Sequence, residues 1–299
     1  MLVRILGSAA CGGVPQWNCG CCYCVAARCD PGLARTGCSV AISGDGSAWT
    51  LFNVAAELPS QLAFFPALHP PNGVRDAPFA AIMLTDAEID HTLGLLTLRQ
   101  AAALTIVATP SVRSLLECSG IAGLLGGYLR VAWREIAAGI DFPLDPARPD
   151  GLRVQAIAVG AGKRPAYAGA GPVPADATVG LRVSDPRGGS FLYAPCVPAL
   201  SGELLDACRS SSLILMDGTF FSDDELATLG RPRTARHLGH LPVGGPDGSL
   251  TQLEPEIRSK IVYTHLNNTN PLLAEQSAAS ELVRRAGAAV AADGTEYEL

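Results

Sequence analysis

The chain is 299 residues long, 48% hydrophobic and 17% charged, with a formal net charge of −6. That balance excludes an intrinsically disordered chain, and the length excludes a small disulfide scaffold. An acidic chain whose basic residues do not cluster also lacks the electrostatic footprint of a nucleic-acid binder. Leu2–Leu6 predicts a first strand, because the apolar run meets Gly7 too soon to be a secretory core. Gly7–Cys38 reads as one long loop, followed by strands at Ser39–Ile42 and Trp49–Asn53 and a short helix within Glu57–Leu68. Ala80–Leu84 is an apolar run that ends at Thr85-Asp86, as a buried strand entering a loop does. Thr92–Ala102 has helical spacing. Thr105–Ala108 is a strand, and Pro110 then opens a helix where its missing N–H costs nothing. Asp141–Pro174 is rich in Pro and Gly and irregular around one strand, Leu152–Val159. Val179–Val183 and Ser190–Tyr193 predict a hairpin about the turn Asp185–Gly189. Glu203–Cys208 is a short helix. Ser212–Met216 and Arg258–Tyr263 are apolar strands that stop at Asp217 and at Thr264-His265. Leu273–Ala286 is the last helix, with strands at Ala288–Ala291 and Thr295–Glu298 after it.

Strands come first and strand–helix alternation follows, with polar residues repeatedly at strand ends. This pattern predicts an α/β sandwich with mixed sheets, one domain over residues 1–299, and a site at the rim of the sheets. No run of about 18 uninterrupted apolar residues is present, so no membrane span is expected. The expected compartment is the cytoplasm, where clustered cysteines bind metal or do redox chemistry more often than they form structural disulfides. A homodimeric state is left open.

Four groups of residues carry chemistry. Ten cysteines are present and five fall between Cys19 and Cys29, so this stretch needs its own explanation. Cys19, Cys21 and Cys24 form C-x-C-x-x-C in a glycine-containing loop, a spacing that lets three thiolates reach one tetrahedral Zn2+ from a single turn. The second group is Asp86, Glu88, Asp90 and His91. Three acids so close repel unless a cation lies among them, although the start of a helix also favours acids. The third is His265, at the end of an apolar strand and before an Asn-rich loop. The fourth is His237-Leu-Gly-His240, where His240 suits acid–base chemistry. Asp217, which closes a strand, suits bracing such a site by a hydrogen bond or capping the next turn. The arginines between Arg231 and Arg236 suit a substrate carboxylate or plain solvation.

The opening Gly7-Ser-Ala-Ala-Cys-Gly-Gly-Val-Pro-Gln-Trp-Asn-Cys19-Gly-Cys21-Cys-Tyr-Cys24 resembles the pyrroloquinoline quinone (PQQ) biosynthesis protein B family. So do Asp90-His91-Thr-Leu-Gly94, Met216-Asp217-Gly-Thr219, Gly239-His240 and His265-Leu-Asn-Asn-Thr-Asn-Pro271, in order along nearly the whole chain. The resemblance implies the metallo-β-lactamase superfamily and its four-layer αββα sandwich. Superfamily hydrolases carry T-H-x-H-x-D-H after a strand. This chain keeps Thr85, Asp90 and His91 but has Asp86 and Glu88 in place of the leading histidines. A later superfamily Asp is also missing, and Tyr193-Ala-Pro-Cys196 stands there. Further departures are Cys11 at a usual glycine and Asn53-Val-Ala-Ala-Glu57 for Asn-Ala-Ser-Pro-Asp.

What remains, Asp90, His91 and His265, has the composition of a two-histidine, one-carboxylate set for Fe2+, with Asp86 a further candidate ligand. The resemblance implies an iron-dependent oxygenase that uses molecular oxygen to hydroxylate the tyrosine-derived ring of a cross-linked Glu–Tyr precursor. It also implies a structural zinc at Cys19, Cys21 and Cys24, closed by a histidine near the last strand; that region offers His265 and Asn268, so His265 is a candidate for the zinc as well as for the iron. Two other readings stand beside the oxygenase: a metal-dependent hydrolase, and a carrier that assists transport of PQQ or its precursor to the periplasm.

Overall fold

The computed structural model describes residues 1–299 apart from 71, 147, 149, 161–163 and 232. Two seven-stranded sheets organise it. Strand β1 (Leu2–Gly7) pairs antiparallel with β2 (Ser39–Ser43), and β2 with β3 (Trp49–Phe52). Strands β4 (Ala81–Met83), β5 (Ala103–Ala108) and β6 (Arg130–Glu135) then add in parallel. The second sheet begins with antiparallel β7 (Asp141–Pro143), β8 (Arg153–Ala158), β9 (Val179–Ser184) and β10 (Ser190–Ala194). It continues in parallel through β11 (Leu213–Asp217), β12 (Ile261–Thr264) and β13 (Ala289–Val290). Strand β14 (Glu296–Glu298) returns to the first sheet against β1.

Alternation decides which side chains meet. Val3, Ile5, Val40, Ile42, Phe52 and Met83 of one sheet face Val154, Leu181, Val183, Phe191, Tyr193 and Leu215 of the other. The opposite face of the first sheet, with Leu51, Ile82 and Ile106, is covered by Leu58 and by Val112, Leu115 and Leu116 of the helix Pro110–Cys118. The opposite face of the second, with Ile214, Met216 and Tyr263, is covered by Leu204, Ala207 and Cys208 of Gly202–Arg209 and by Val283 of Ala278–Arg285. The result is the expected α/β sandwich: helices, sheet, sheet, helices. Each fully buried aliphatic or Phe side chain contributes about 1.5–3 kcal/mol to this packing.

Several elements differ from expectation. The loop after β1 contains the helix Cys22–Cys29, whose Cys24 and Ala27 are buried. Cysteine ranks low among helix formers, and the three in this segment hide its amphipathic spacing. The helical spacing at Thr92–Ala102 resolves into two short helices, Ile89–Thr92 and Gly94–Thr97, the first beginning before the predicted start. The final helix starts at Ala278, capped by Ser277, because Pro271–Leu273 forms its own 3-10 turn. Two strands were not anticipated, β6 and β7. Both end a sheet, and the face alternation of β6 is blurred by exposed Arg130, Ala132 and Glu135.

The sheets set the rim. Asp217 pairs in register with Thr264, so Asp217 and His265 emerge side by side at the carboxyl ends of β11 and β12. Phe52 pairs with Met83, which places Asn53 beside the Thr85-Asp86 turn on the facing sheet.

Candidate active site

Five strand ends converge. Asn53 follows β3, Thr85 and Asp86 follow β4, Cys196 follows β10, Asp217 closes β11 and His265 follows β12. Asn53 and His265 both have positive φ, 55° and 60°. Left-handed backbone at a non-glycine residue is uncommon, and at His265 it turns the ring off the strand into the rim.

His91 is fully buried, and its Nδ1 donates to the Asp86 carboxylate at 2.8–2.9 Å. The remaining contacts of Asp86 come from Thr85 Oγ1 at 2.7 Å and Glu88 N at 2.9 Å. Thr85 is held in turn by the Asn53 amide through bonds of 2.9–3.2 Å. Asp86 therefore orients His91 and has its oxygens engaged, which leaves it the bracing position beside the ligand set. The short helix carrying His91 lies directly on the backbone after β3. A Cβ at Gly94 would sit 2.3 Å from Ala55 O, so only glycine permits that approach. His91 Nε2 is buried and has no hydrogen-bond partner among the described residues.

On the facing side, Asp217 Oδ2 accepts from His240 Nδ1 at 2.8 Å and from Val197 N at 2.7 Å. Asp217 Oδ1 accepts from Thr219 Oγ1 at 2.6 Å and from Thr219 N at 3.0 Å. The hydroxyl proton of Thr219 is thus committed to Asp217. Its oxygen can only accept from His265 Nδ1, 2.8 Å away. The shorter, charge-assisted bond to Asp217 favours the His265 tautomer in which Nδ1 carries the proton and Nε2 presents a lone pair. Yet His265 Nε2 lies 3.1 Å from Asp90 Oδ2, also an acceptor. Two acceptors at that distance require a proton or a cation between them. Burial lowers the His265 pKa below the usual histidine value, so a proton is disfavoured.

His91 presents the converse problem. Burial opposes its charge, but Asp86 and Asp90 outweigh it and lift the pKa to about 9. The protonated ring then carries a buried Nε2–H without an acceptor. A cation at the rim resolves both conflicts. The donor atoms of His91, Cys196 and His265 lie within 4.8 Å of one another, as do those of Asp217, His240 and His265. The His91 and His265 rings are 4.9 Å apart and those of His240 and His265 5.6 Å. His265 thus lies against both His91 and Asp90, with Asp217 and His240 beside it. Cys196 was missed as a participant. Its only signal was its position where a superfamily carboxylate is lacking.

Asp86, Asp90, Cys196, His240 and His265 line a cavity of about 200 Å³ whose wall includes Pro198, Phe220, Leu238 and Cys11. Cys11, Leu238 and Asn267 are shared with a larger cleft of about 740 Å³, lined also by Arg231 and Arg233. Pro232, within the same Arg-rich stretch, lies outside the described residues.

The cysteine cluster is close by but separate. The Sγ atoms of Cys19, Cys21 and Cys24 lie within 4.8 Å of one another, which fits a single metal ion. Asn268, not His265, meets them: its carbonyl accepts from Cys21 Sγ at 3.3 Å and its amide donates to Cys24 Sγ at 3.4 Å. The chain pairing explains the division. Ala10 N donates to Leu266 O and Leu266 N to Ser8 O, so the two segments run together. His265 then serves the rim, and Asn268, three residues on, serves the cysteines. Gln16 N donates to Cys24 Sγ at 3.3 Å, and Arg28 binds the carbonyls of Gln16 and Cys19 at 2.7 Å. Burial raises the Cys21 pKa, but hydrogen bonds from Cys24 N–H and Cys19 outweigh it and draw the thiol toward thiolate.

A rim of histidines and carboxylates on two stacked mixed sheets is the architecture of the metallo-β-lactamase fold, and the family model of the beta-lactamase superfamily domain matches residues 48–266. Within that class, the chain belongs to the coenzyme PQQ synthesis protein B family. It is 38% identical to coenzyme PQQ synthesis protein B of Rhodopseudomonas palustris (strain BisB5), over the whole of both chains. It is 40% identical to that of Pseudomonas protegens, again over the whole of both. The crystal structure of Zn2+-bound PqqB from Methylobacterium extorquens superposes with a TM-score of 0.89 at 32% identity, covering all of both chains.

Proposed function

We propose that this chain, which its family membership places in PQQ biosynthesis, is a non-haem Fe2+-dependent oxygenase. Its substrate would be a cross-linked Glu–Tyr precursor, hydroxylated on the tyrosine-derived ring. The observation that carries the reading is a pair of imidazole nitrogens that lack a suitable hydrogen-bond partner among the described residues, His91 Nε2 buried without one and His265 Nε2 facing Asp90. Asp90, His91 and His265 would hold the ion. Fe2+ in such a set supplies one-electron chemistry with oxygen and keeps open positions for oxygen and substrate. Zn2+ would be held by Cys19, Cys21 and Cys24, where it ties the loop to Asn268.

The chain's own residues then do the rest. Phe220, Pro198 and Leu238 give an apolar wall against which a single aromatic ring can lie. Arg231 and Arg233 border the adjoining cleft and suit the precursor's carboxylates through charge-assisted hydrogen bonds. Asp217 fixes the His240 tautomer, leaving Nε2 for the cavity. Burial opposes the charge on His240, but Asp217 and Asp90 outweigh it and raise the pKa above the usual histidine value, which suits the ring to proton transfer. The hydrolase reading needs a second metal, and the position of its leading histidine holds Asp86, which is engaged in orienting His91.

Oxygen uptake by anaerobically Fe2+-loaded protein tests the proposal. With a tyrosine-derived precursor, uptake and the gain of one oxygen atom in the product are expected, and both should vanish in His91→Ala. A loaded wild type that binds the precursor and takes up no oxygen would contradict the oxygenase and return the carrier reading.

A further inference from the structure

We propose that Cys196 is a thiolate ligand of the rim metal, so that the ion is held by His91, His265, Asp90 and one sulfur. The inference rests on the reading of the rim as a metal centre and adds a donor to it. Cys196 follows β10 directly, on the sheet that also delivers Asp217 and His265. Its Sγ and the imidazole nitrogens of His91 and His265 lie within 4.8 Å of one another, close enough for one ion to touch all three. The side chain is free of any disulfide and faces the cavity. The second observation is independent of the sulfur. His91 is fully buried and its Nε2 has no hydrogen-bond partner, so the position between the three donors is one for which the fold provides no hydrogen-bond acceptor.

Chemistry favours a cation there over another polar side chain. A thiol is a weak donor and a poor acceptor and does not satisfy a buried imidazole nitrogen. A metal ion accepts the lone pairs of both imidazoles and of a sulfur at once. On binding, the S–H bond breaks heterolytically: the electron pair stays on sulfur and becomes the donor pair, and the proton leaves to solvent. No oxidant or reductant is required. The sulfur would also discriminate among ions. A thiolate beside two imidazoles suits Fe2+, Co2+ and Zn2+, whereas Mg2+ and Ca2+ prefer all-oxygen sets.

The test uses full-length, metal-depleted protein titrated with Co2+ without oxygen, with bound metal counted per chain. Near-ultraviolet spectra are compared for the wild type, Cys196→Ser and Cys196→Asp. Cys19, Cys21 and Cys24 contribute to all three proteins and cancel in the difference. The expected result is a sulfur-to-cobalt charge-transfer band in wild type minus Cys196→Asp. That variant keeps an anionic donor and so retains the ion count. If Cys196→Ser fails to fold, peptide-resolved alkylation of the wild type gives the same answer: Co2+ should protect Cys196 while exposed Cys118 stays reactive. A flat difference spectrum with the rim ion bound, and equal alkylation of Cys196 with and without Co2+, would overturn the thiolate and leave the rim metal standing. A wild type that binds Co2+ only at the loop cysteines would overturn both.

Discussion

Asp86 and His91 show how one carboxylate settles what an imidazole can do. With Nδ1–H given to Asp86, the lone pair of a neutral His91 lies on Nε2, toward the rim. The pair also holds a proton in the metal-free protein, because His91 is lifted to about 9. Asp86→Asn should therefore weaken rim metal binding by about 10–100-fold, the usual cost of losing such an orienting partner. A chelator-competition titration checks this, with zinc at the loop cysteines unchanged. Unaltered rim affinity would show that Asp86 does not orient the ligand. Much of this was legible at the residue scale. Asp90, His91 and His265 stood at strand ends in a chain with only five histidines. The division of labour was not legible, since an acid four residues from another acid reads the same whether it meets a metal or a ring N–H. Cys196 was hidden for a different reason. Ala-Pro-Cys-Val marks it only as the place where a superfamily carboxylate is lacking, and the packing of the two sheets is what brings it to His91.

At the scale of elements, the segment from Cys19 to Cys29 is a folded unit held by few apolar contacts, since its own cluster is Ala9, Val14 and Ala27. Metal at the three sulfurs would supply the rest. Cys21→Ser is expected to release one zinc per chain and to open residues 16–29 to limited proteolysis, whereas Cys22→Ser, at an exposed position, should do neither. Retained zinc and an uncut loop in Cys21→Ser would contradict the assignment.

The segment after β11 carries a titration of its own. Glu225 is buried, and its oxygens accept from Phe221 N at 2.8 Å and Thr269 Oγ1 at 2.5 Å. Burial lifts its pKa to about 7 from an ordinary 4.5. The folded state therefore binds this proton more tightly than the unfolded state does. Stability from this group is full below about pH 4.5 and is lost as pH rises to 7, by about 3 kcal/mol at most. Urea unfolding across that window should show the slope in the wild type and a shallower one in Glu225→Gln; equal slopes would exclude the effect. Elements were legible where burial was one-sided or complete, as in β1, β10 and β11. They were not where cysteine hid a helix face at Cys22–Cys29, or where an edge strand such as β6 carried charges and exposed positions.

For the whole molecule, the alternation of strands and helices was enough to indicate the sandwich, because interior strands such as β11 and β12 are continuous apolar runs that end in single polar residues. The meeting of two sheets at a common rim was not readable from any one segment. It depends on β14 returning to β1 and on Asp217 registering with Thr264. The sandwich also has a cavity of about 280 Å³ lined by Asp45, Arg148, Asp185 and Arg187, without a histidine or a cysteine. The chemistry concentrates at the other place, where His240, His265, Asp86, Asp90 and Cys196 line one cavity and buried His91 and Asp217 bond to its lining. Two metal centres, tied together by the paired Ser8–Ala10 and His265–Asn268 segments, are the central claim. Anomalous diffraction at the iron edge, from crystals loaded with Fe2+ without oxygen, tests it most directly. An iron peak is expected against His91 Nε2 and His265 Nε2, distinct from a peak among Cys19, Cys21 and Cys24 that appears at the zinc edge. Iron found only among the three sulfurs, with nothing between His91 and His265, would contradict it.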